Sequence, residues 1–187
     1  MKRNQSRTGI MEKIGLGGSC HWCTEAIFLS LNGIVAVEQG WIASDGQHSA
    51  FSEAVIVEYD AAIISLETLI AIHFSTHSCT ANHNMRSKYR SAVYTFTAEQ
   101  AALAKKAIEA LQKEYESPII TKILGYKDFR INTNDRLNYY YSNPEKPFCE
   151  NIINPKLRRL MQQFSNEVAA GKLEHLQQAN SDHNEKT

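Results

Sequence analysis

The chain has 187 residues and a mass of 21.1 kDa, the size of one domain with its own core. Its 20 Lys and Arg residues balance 20 Asp and Glu residues, so net charge creates no general attraction to nucleic acid or acidic lipid. No apolar run reaches the roughly 18 residues that cross a bilayer, and the polar N-terminus precedes no signal-like apolar stretch. We therefore expect a cytoplasmic protein without a membrane or nucleic-acid partner.

The four cysteines are too few for a disulfide scaffold in a chain of this length. Only Cys20 and Cys23 form a close pair, and no second pair completes the four ligands of a structural zinc site. Cys79 has the character of an ordinary buried side chain. We expect no bound metal, and the remaining roles for the close pair are a reactive thiol or a redox couple.

Hydrophobic periodicity alternates between strand and helix along most of the chain. After a polar tail at residues 1–10, the predicted elements follow in chain order: a strand at 13–17, a helix at 22–31, strands at 34–42 and 53–59, a helix at 66–74, a strand at 91–96, a helix at 97–116 and a candidate strand at 119–124. Ser65 and Thr97 are the expected N-caps of the second and third helices.

The rest of the chain is less periodic. Residues 127–153 are predicted as irregular, residues 155–170 as an amphipathic helix, and residues 171–187 as a polar, disordered tail. The order strand, helix, strand, strand, helix, strand is the split βαβ arrangement of ferredoxin-like folds. It predicts an α+β two-layer sandwich, with one catalytic domain at residues 11–170.

The most informative segment is Gly17-Gly18-Ser19-Cys20-His21-Trp22-Cys23, which lies between a predicted strand and a predicted helix. Free backbone N–H groups and the helix dipole at such a junction stabilise an anion, so the pKa of the Cys20 thiol should be low. The glycines permit a sharp turn, and Trp22 offers an apolar wall. Cys20 is therefore the predicted nucleophile.

This segment resembles the Gly-Cys-Phe-Trp turn of the peptide methionine sulfoxide reductase A family. The similarity continues in order over most of the chain, from about residue 13 to residue 157. The further matching segments are Gly33 to Trp41, Ser52 to Asp60, His77, Lys88 to Tyr94 (the family's "QYRSAiY"), and Asn143 to Leu157 with Cys149.

The resemblance implies reduction of the S epimer of methionine sulfoxide, with thioredoxin as the reductant and protein repair as the role. It implies that Glu53 donates a proton to the departing oxygen and that Tyr89 binds the same oxygen. Cys149 would resolve the sulfenic acid, with Cys23 as the alternative partner. A carboxyl group beside the Trp22 wall would have a raised pKa, so Glu53 could carry a proton near neutrality.

Several positions depart from the family pattern. His21 replaces the Phe of the turn, Asn84 replaces an Asp, and Arg86 replaces a Gly, while the loop at 42–52 is short and lacks a Tyr. The predicted substrate contacts are therefore His21, Trp22 and Asn84. His21 would stack on the substrate, polarise Cys20, or simply lie at the start of the helix.

Two other functions remain open on the sequence. A C-x-x-C pair before a helix also suits a thiol–disulfide oxidoreductase, although none of the four prolines is an obvious cis-Pro partner. The altered substrate contacts also fit an impaired relative that only binds peptides. We expect a monomer that needs no cofactor beyond the external thiol reductant.

Overall fold

The computed structural model describes residues 9–177. Six strands form one sheet, at Met11–Gly17 (β1), Ile34–Ala43 (β2), Ser52–Asp60 (β3), Ala92–Thr95 (β4), Lys122–Gly125 (β5) and Asp128–Ile131 (β6). The α-helices are His21–Leu29 (α1), Leu66–Thr76 (α2), Ala98–Leu111 (α3), Tyr139–Ser142 (α4) and Asn154–Gln163 (α5).

The strand order is β5-β4-β1-β3-β2-β6. Its four central strands, β4-β1-β3-β2, are antiparallel neighbours and have the order of a ferredoxin-like sheet. At the two edges, β5 joins parallel to β4, and β6 joins antiparallel to β2. The predicted α+β sandwich is confirmed.

Alternation along the central strands decides which side chains face the helices. Ile14 and Leu16 of β1, with Val55 and Val57 of β3, are fully buried in the main core beneath the helices. The intervening residues point to the opposite face, where a smaller cluster contains Ile42, Ala54, Ile56, Ala92 and Tyr94.

Several elements begin or end at residues other than those predicted. α3 ends at Leu111 in place of residue 116, β5 starts at Lys122, and α5 ends at Gln163 in place of residue 170. The segment predicted as irregular contains β6, α4 and a helical turn at Cys149–Ile153. These pieces are too short for periodicity to reveal.

The two predicted tails lie mainly at residues 1–8 and 178–187, outside the described part of the chain. Within it, Leu173 and Leu176 are each only 2% exposed and belong to the main core. The folded unit therefore extends past the predicted boundary at residue 170, because two apolar side chains three residues apart face the core. No helix between residues 9 and 177 is long and apolar enough to cross a bilayer.

Candidate active site

The turn between β1 and α1 presents Cys20 at the N-terminus of the helix. Gly18 has a φ of 138°, and a Cβ atom there would lie 2.7 Å from the His77 ring, so only glycine fits. Cys20 is the N-cap residue, its carbonyl oxygen accepts from the N–H groups of Cys23 and Thr24, and its side chain remains partly exposed.

The pKa of the Cys20 thiol is lowered to about 7. The largest cause is a hydrogen bond from the Cys23 thiol, and the N–H groups of Trp22 and Cys23 lower it further. Burial and the negative charge of Glu53 oppose the shift. The hydrogen bond to Cys20 and burial raise the pKa of Cys23, so Cys23 stays protonated and acts as the donor.

Lys156 of α5 brings a positive charge to the same turn. Its Nζ atom donates to the carbonyl oxygen of Thr76 at 2.6 Å and to Oγ of Ser19 at 3.3 Å. Burial lowers the pKa of Lys156, while the charges of Cys23 and Cys20 oppose that shift. This cation favours the thiolate form at the turn.

Glu53, at the start of β3, is only 4% exposed, and both of its carboxylate oxygens have donors nearby. Oε2 accepts from the backbone N–H of His21 at 3.1 Å and lies 2.8 Å from the His21 Nδ1 atom, while Oε1 lies 3.2 Å from Nζ of Lys88. Burial pushes the pKa of Glu53 upward, but the contacts with His21 and Lys88 outweigh it, and the pKa is lowered. The expectation of a raised pKa is wrong for this ligand-free site, because it considered the apolar wall and missed these donors.

Cys20, Glu53 and Tyr89 line one cavity of about 560 Å³, together with His21 and Trp22. The indole of Trp22 stacks on Tyr139 at 4.0 Å between ring centroids and meets Phe148 edge-on at 5.7 Å. The cavity thus combines a thiol, polar groups and an apolar aromatic wall, as a sulfoxide with an attached methyl group would require.

Asn84 does not belong to this group. It is exposed in the loop before β4 and is absent from the cavity lining, where its neighbours His83 and Met85 are found. Its assignment as a substrate contact is therefore not supported by its position.

Cys149 also lies in an environment that differs from the expectation. It is fully buried in the main core, in the helical turn Cys149–Ile153 that leads directly into α5. Burial raises its pKa, with a smaller opposite influence from Lys146. The end of the segment predicted as irregular is therefore a helical turn in which Cys149 and Ile153 are buried and Ile152 is exposed.

Arg86 and Lys88 are site residues whose roles the sequence did not reveal. The Arg86 guanidinium donates to the carbonyl oxygens of Gly18, Tyr89, Ser78 and Ala81, which ties the loop before β4 to the Cys20 turn. The family pattern has Gly at position 86, so the sequence showed that Arg86 departs from the pattern but did not predict these contacts.

A larger groove of about 930 Å³ lies on the other side of Lys156, between α2, α3 and α5, and it contains neither Cys20 nor Glu53. Within residues 9–177, no three His, Cys, Asp or Glu side chains lie close enough to hold a metal ion.

Comparison with known proteins agrees with this geometry. The model of the family described as peptide methionine sulfoxide reductase matches residues 12–168. The chain belongs to the peptide methionine sulfoxide reductase family. It is accordingly an oxidoreductase, and the predicted recognition is confirmed.

Curated relatives and solved structures give the extent of the similarity. The peptide methionine sulfoxide reductase MsrA of Trichodesmium erythraeum is 32% identical over 177 residues, covering 86% of this chain and all of the relative. MsrA of Deinococcus radiodurans is 32% identical over 84% of each chain.

Among solved structures, reduced Mxr1 from Saccharomyces cerevisiae has a TM-score of 0.67 at 22% identity, covering 74% of this chain and 89% of that chain. A second structure shows Mxr1 in complex with Trx2, with a TM-score of 0.56 at 22% identity and coverage of 67% and 83%. These structures share the fold of this chain.

Proposed function

We propose that this member of the family reduces the S epimer of methionine sulfoxide, free or within proteins, to methionine at Cys20. The observation that carries the proposal is a partly exposed thiol with a pKa of about 7 in the same cavity as Glu53, Tyr89 and Trp22. Reduction of a sulfoxide needs a nucleophile at sulfur and a proton at oxygen, and this cavity contains groups for both.

In the first step, the Cys20 thiolate attacks the sulfur of the sulfoxide, and Glu53 delivers a proton to the oxygen. Thiolate, sulfoxide and one proton give a cysteine sulfenic acid and the thioether, so Cys20 gains the oxygen and is oxidised by two electrons. Tyr89 would donate a hydrogen bond to that oxygen, and Trp22 would contact the methyl group.

In the second step, a thiol condenses with the sulfenic acid to give a disulfide and water. The sequence favours Cys149 as this thiol, with Cys23 as the alternative. One observation supports Cys23 as the first partner: its thiol already contacts Cys20. Burial does not distinguish the two candidates, since Cys23 is 1% exposed and Cys149 is fully buried. Because Cys20 is an N-cap and Cys23 lies three residues later, the helix itself need not unwind for them to pair.

Cys149 would then take over the disulfide. It contributes to the electrostatic environment of Cys23, so the two side chains are neighbours. Attack of the Cys149 thiolate on the sulfur of Cys23 would release the Cys20 thiolate and form a Cys23–Cys149 disulfide. This exchange conserves the number of disulfides and requires opening of the Cys149–Ile153 turn.

Thioredoxin would return the enzyme to its dithiol form by supplying two electrons and two protons. The Mxr1 complex with Trx2 supports this partner for a relative with the same fold. The substrates would be oxidised proteins and peptides, the role protein repair in the cytoplasm, and the active form a monomer with no further cofactor.

The test is reduction of separate S and R epimers of a methionine sulfoxide peptide, with dithiothreitol and then with thioredoxin, thioredoxin reductase and NADPH. We expect turnover of the S epimer with both reductants and little turnover of the R epimer. Tight binding of the S epimer without turnover would identify the impaired, peptide-binding relative instead.

A second candidate function is general thiol–disulfide exchange, which the contact between Cys20 and Cys23 at a helix N-terminus favours. Reduction of insulin disulfides distinguishes the two functions. Fast insulin reduction without activity on either sulfoxide epimer would replace the reductase assignment.

A further inference from the structure

His21 lies between a carboxylate and an amide rather than beside the nucleophile. The side chain is only 5% exposed, its Nδ1 atom is 2.8 Å from Oε2 of Glu53, and its Nε2 atom is 3.0 Å from Nδ2 of Asn132. The rings of Trp22 and Trp41 contact it edge-on, each at 5.9 Å between centroids. Nε2 therefore has a hydrogen-bond partner in Asn132, whereas Nδ1 lies against Oε2 of Glu53 without an aligned hydrogen bond.

The orientation of the Asn132 amide follows from Trp41. The indole Nε1 of Trp41 lies 3.2 Å from Oδ1 of Asn132. An indole N–H can only donate, so the oxygen of the amide must face it and the nitrogen must face the other way. That nitrogen lies 2.6 Å from Oε1 of Gln39 and 3.0 Å from His21.

Gln39 fixes the same orientation from the opposite end. Its Nε2 atom lies 2.7 Å from Oε2 of Glu25 and 3.1 Å from the carbonyl oxygen of Arg136. A peptide carbonyl can only accept, so the nitrogen of Gln39 faces Arg136 and its oxygen faces Asn132. Gln39 is fully buried, which keeps this arrangement free of competing water.

One N–H of Asn132 thus donates to Gln39, and the second donates to Nε2 of His21. The receiving nitrogen must carry a lone pair, so His21 is the neutral tautomer with its hydrogen on Nδ1. Nδ1, which carries that hydrogen, lies 2.8 Å from Oε2 of Glu53, although the two atoms are not aligned as a hydrogen bond. His21 consequently presents a donor nitrogen to Glu53 and does not compete for its proton.

The two oxygens of Glu53 then differ. Oε2 accepts from the backbone N–H of His21 and lies 2.8 Å from its Nδ1 atom, so an added proton there would displace the backbone donor. Oε1 faces Lys88, whose side chain is 44% exposed and lies at the edge of the cavity. A proton on Glu53 is therefore placed on Oε1.

We propose that Asn132 and His21 are positioning residues for the acid of the reaction: Asn132 fixes the Nδ1–H tautomer of His21, His21 occupies Oε2 of Glu53, and Oε1 carries the proton to the sulfoxide oxygen. The last clause rests on the proposed function, whereas the tautomer and the titration of Glu53 do not. Asn132 immediately follows β6.

Three further charged groups lie near His21 and Glu53 and influence the titration of Glu53. Lys88 approaches Glu53 from the loop before β4, the Cys20 thiolate lies at the start of α1, and Glu25 on α1 accepts from Gln39 and from the N–H groups of Asn138 and Tyr139. Lys88 favours the Glu53 carboxylate, and Cys20 disfavours it. Each is present in all the variants below, so differences among those variants report on His21 and Asn132.

The direct test is NMR of protein labelled with ¹⁵N-histidine and with ¹³C in the glutamate carboxyl groups. We expect the wild-type protein to show His21 protonated at Nδ1 and bare at Nε2 at neutral pH. Asn132→Asp places a carboxylate oxygen at Nε2, so this variant should show protonation of that nitrogen. A wild-type His21 that is protonated at Nε2 would overturn the proposal without any variant.

A pair of substitutions at His21 tests the contact with Glu53. Asn has an amide nitrogen near the position of Nδ1 and can keep the donor, whereas Phe restores the family residue and removes it. The pKa of Glu53 should rise by about one unit in His21→Phe, corresponding to a tenfold change in the protonated fraction, and should stay near the wild-type value in His21→Asn. Equal Glu53 titration in all three proteins would contradict the proposal.

The same proteins then report on catalysis through single-turnover rates of S-epimer reduction measured against pH. The rise of the rate at low pH should shift upward by about one pH unit in His21→Phe, with a plateau rate about tenfold higher, and neither should change in His21→Asn. If the wild-type protein reduces no sulfoxide, the proposed function fails while the NMR results still decide the tautomer. If it reduces the S epimer with the same pH limit in His21→Phe, the positioning role fails alone.

Discussion

Cys20 and Cys149 show how one residue type acquires opposite properties in two parts of the same molecule. Cys20 lies at the N-terminus of α1, partly exposed, with a donor thiol and free N–H groups that lower its pKa to about 7. Cys149 lies inside a helical turn, fully buried, and burial raises its pKa. The contrast teaches that a donor thiol and free N–H groups lower the pKa of a thiol, whereas burial without such donors raises it.

The largest effect should come from removing the reactive thiol. Cys20→Ser should abolish reduction of the S epimer, because an alcohol at this position neither ionises near neutrality nor forms a sulfenic acid. The measurement is turnover with dithiothreitol, with Cys79→Ala as the control for loss of a cysteine elsewhere. Turnover at the wild-type rate would show that another group is the nucleophile.

Removing the acid should give the next largest effect. Glu53→Gln keeps the shape of the side chain but cannot transfer a proton, so the single-turnover rate should fall by about 10² to 10⁴-fold. Glu58→Gln is the matched control, since Glu58 lies on the same strand and pairs only with Lys13. An unchanged rate in Glu53→Gln would exclude its role as the acid.

Replacing Cys23 and Cys149 in turn shows which of the two thiols resolves the Cys20 sulfenic acid. After one turnover, Cys149→Ser should contain a Cys20–Cys23 disulfide and show slowed recycling by thioredoxin. Cys23→Ser should accumulate the Cys20 sulfenic acid, because this variant lacks the thiol that contacts Cys20. Peptide mapping identifies the disulfide, and a sulfenic-acid probe detects the oxidised Cys20. A direct Cys20–Cys149 disulfide in the wild-type protein would show that Cys149 is the first partner, as the sequence favours.

The difference in pKa predicts a difference in alkylation. The rate of Cys20 modification by iodoacetamide should rise with pH around a midpoint near 7, whereas Cys149 should remain unmodified in the folded protein. Cys23→Ala removes the main donor to the thiolate, so the midpoint should move toward the ordinary thiol value of about 8.5. A midpoint that stays near 7 in this variant would assign the low pKa to the helix N-terminus alone.

The smallest expected effect is on stability, and it comes from His73, which lies beneath the Cys20 turn. His73 is buried, its Nε2 atom contacts the carbonyl oxygen of Gly17 at 2.8 Å, and burial lowers its pKa to about 4. A histidine whose folded pKa is lowered contributes full stability above its unfolded value of about 6.5 and loses it as the pH falls toward 4. Between pH 7 and 5, this loss should be about 2 kcal/mol.

Urea unfolding at the two pH values measures that loss. His73→Gln can keep a donor to Gly17 but does not titrate, so its free energy of unfolding should depend less on pH than that of the wild-type protein. The same pH dependence in both proteins would show that folding does not lower the pKa of His73.

The sequence alone determined the ferredoxin-like core and the position of Cys20. Except for the four-residue β4, the strands and helices between Met11 and Leu111 are long enough for periodicity to show. The caps at Ser65 and Thr97 are confirmed, because their side chains accept hydrogen bonds from the N–H groups of Thr68 and Gln100. A glycine turn followed by a cysteine before a helix is a local feature, so its chemistry follows from neighbouring residues in the chain.

The tertiary structure alone decided the electrostatics of Glu53 and the surroundings of Cys149. Glu53 is 32 residues from His21 and 35 from Lys88 along the chain, and only the pairing of the strands and the loop before β4 places both donors on its carboxylate. Asn132 reaches His21 because β6, a short strand without a visible sequence pattern, pairs with the edge of β2. Protonation states depend on contacts between distant residues, which is why sequence patterns identified the reacting groups but not their charges.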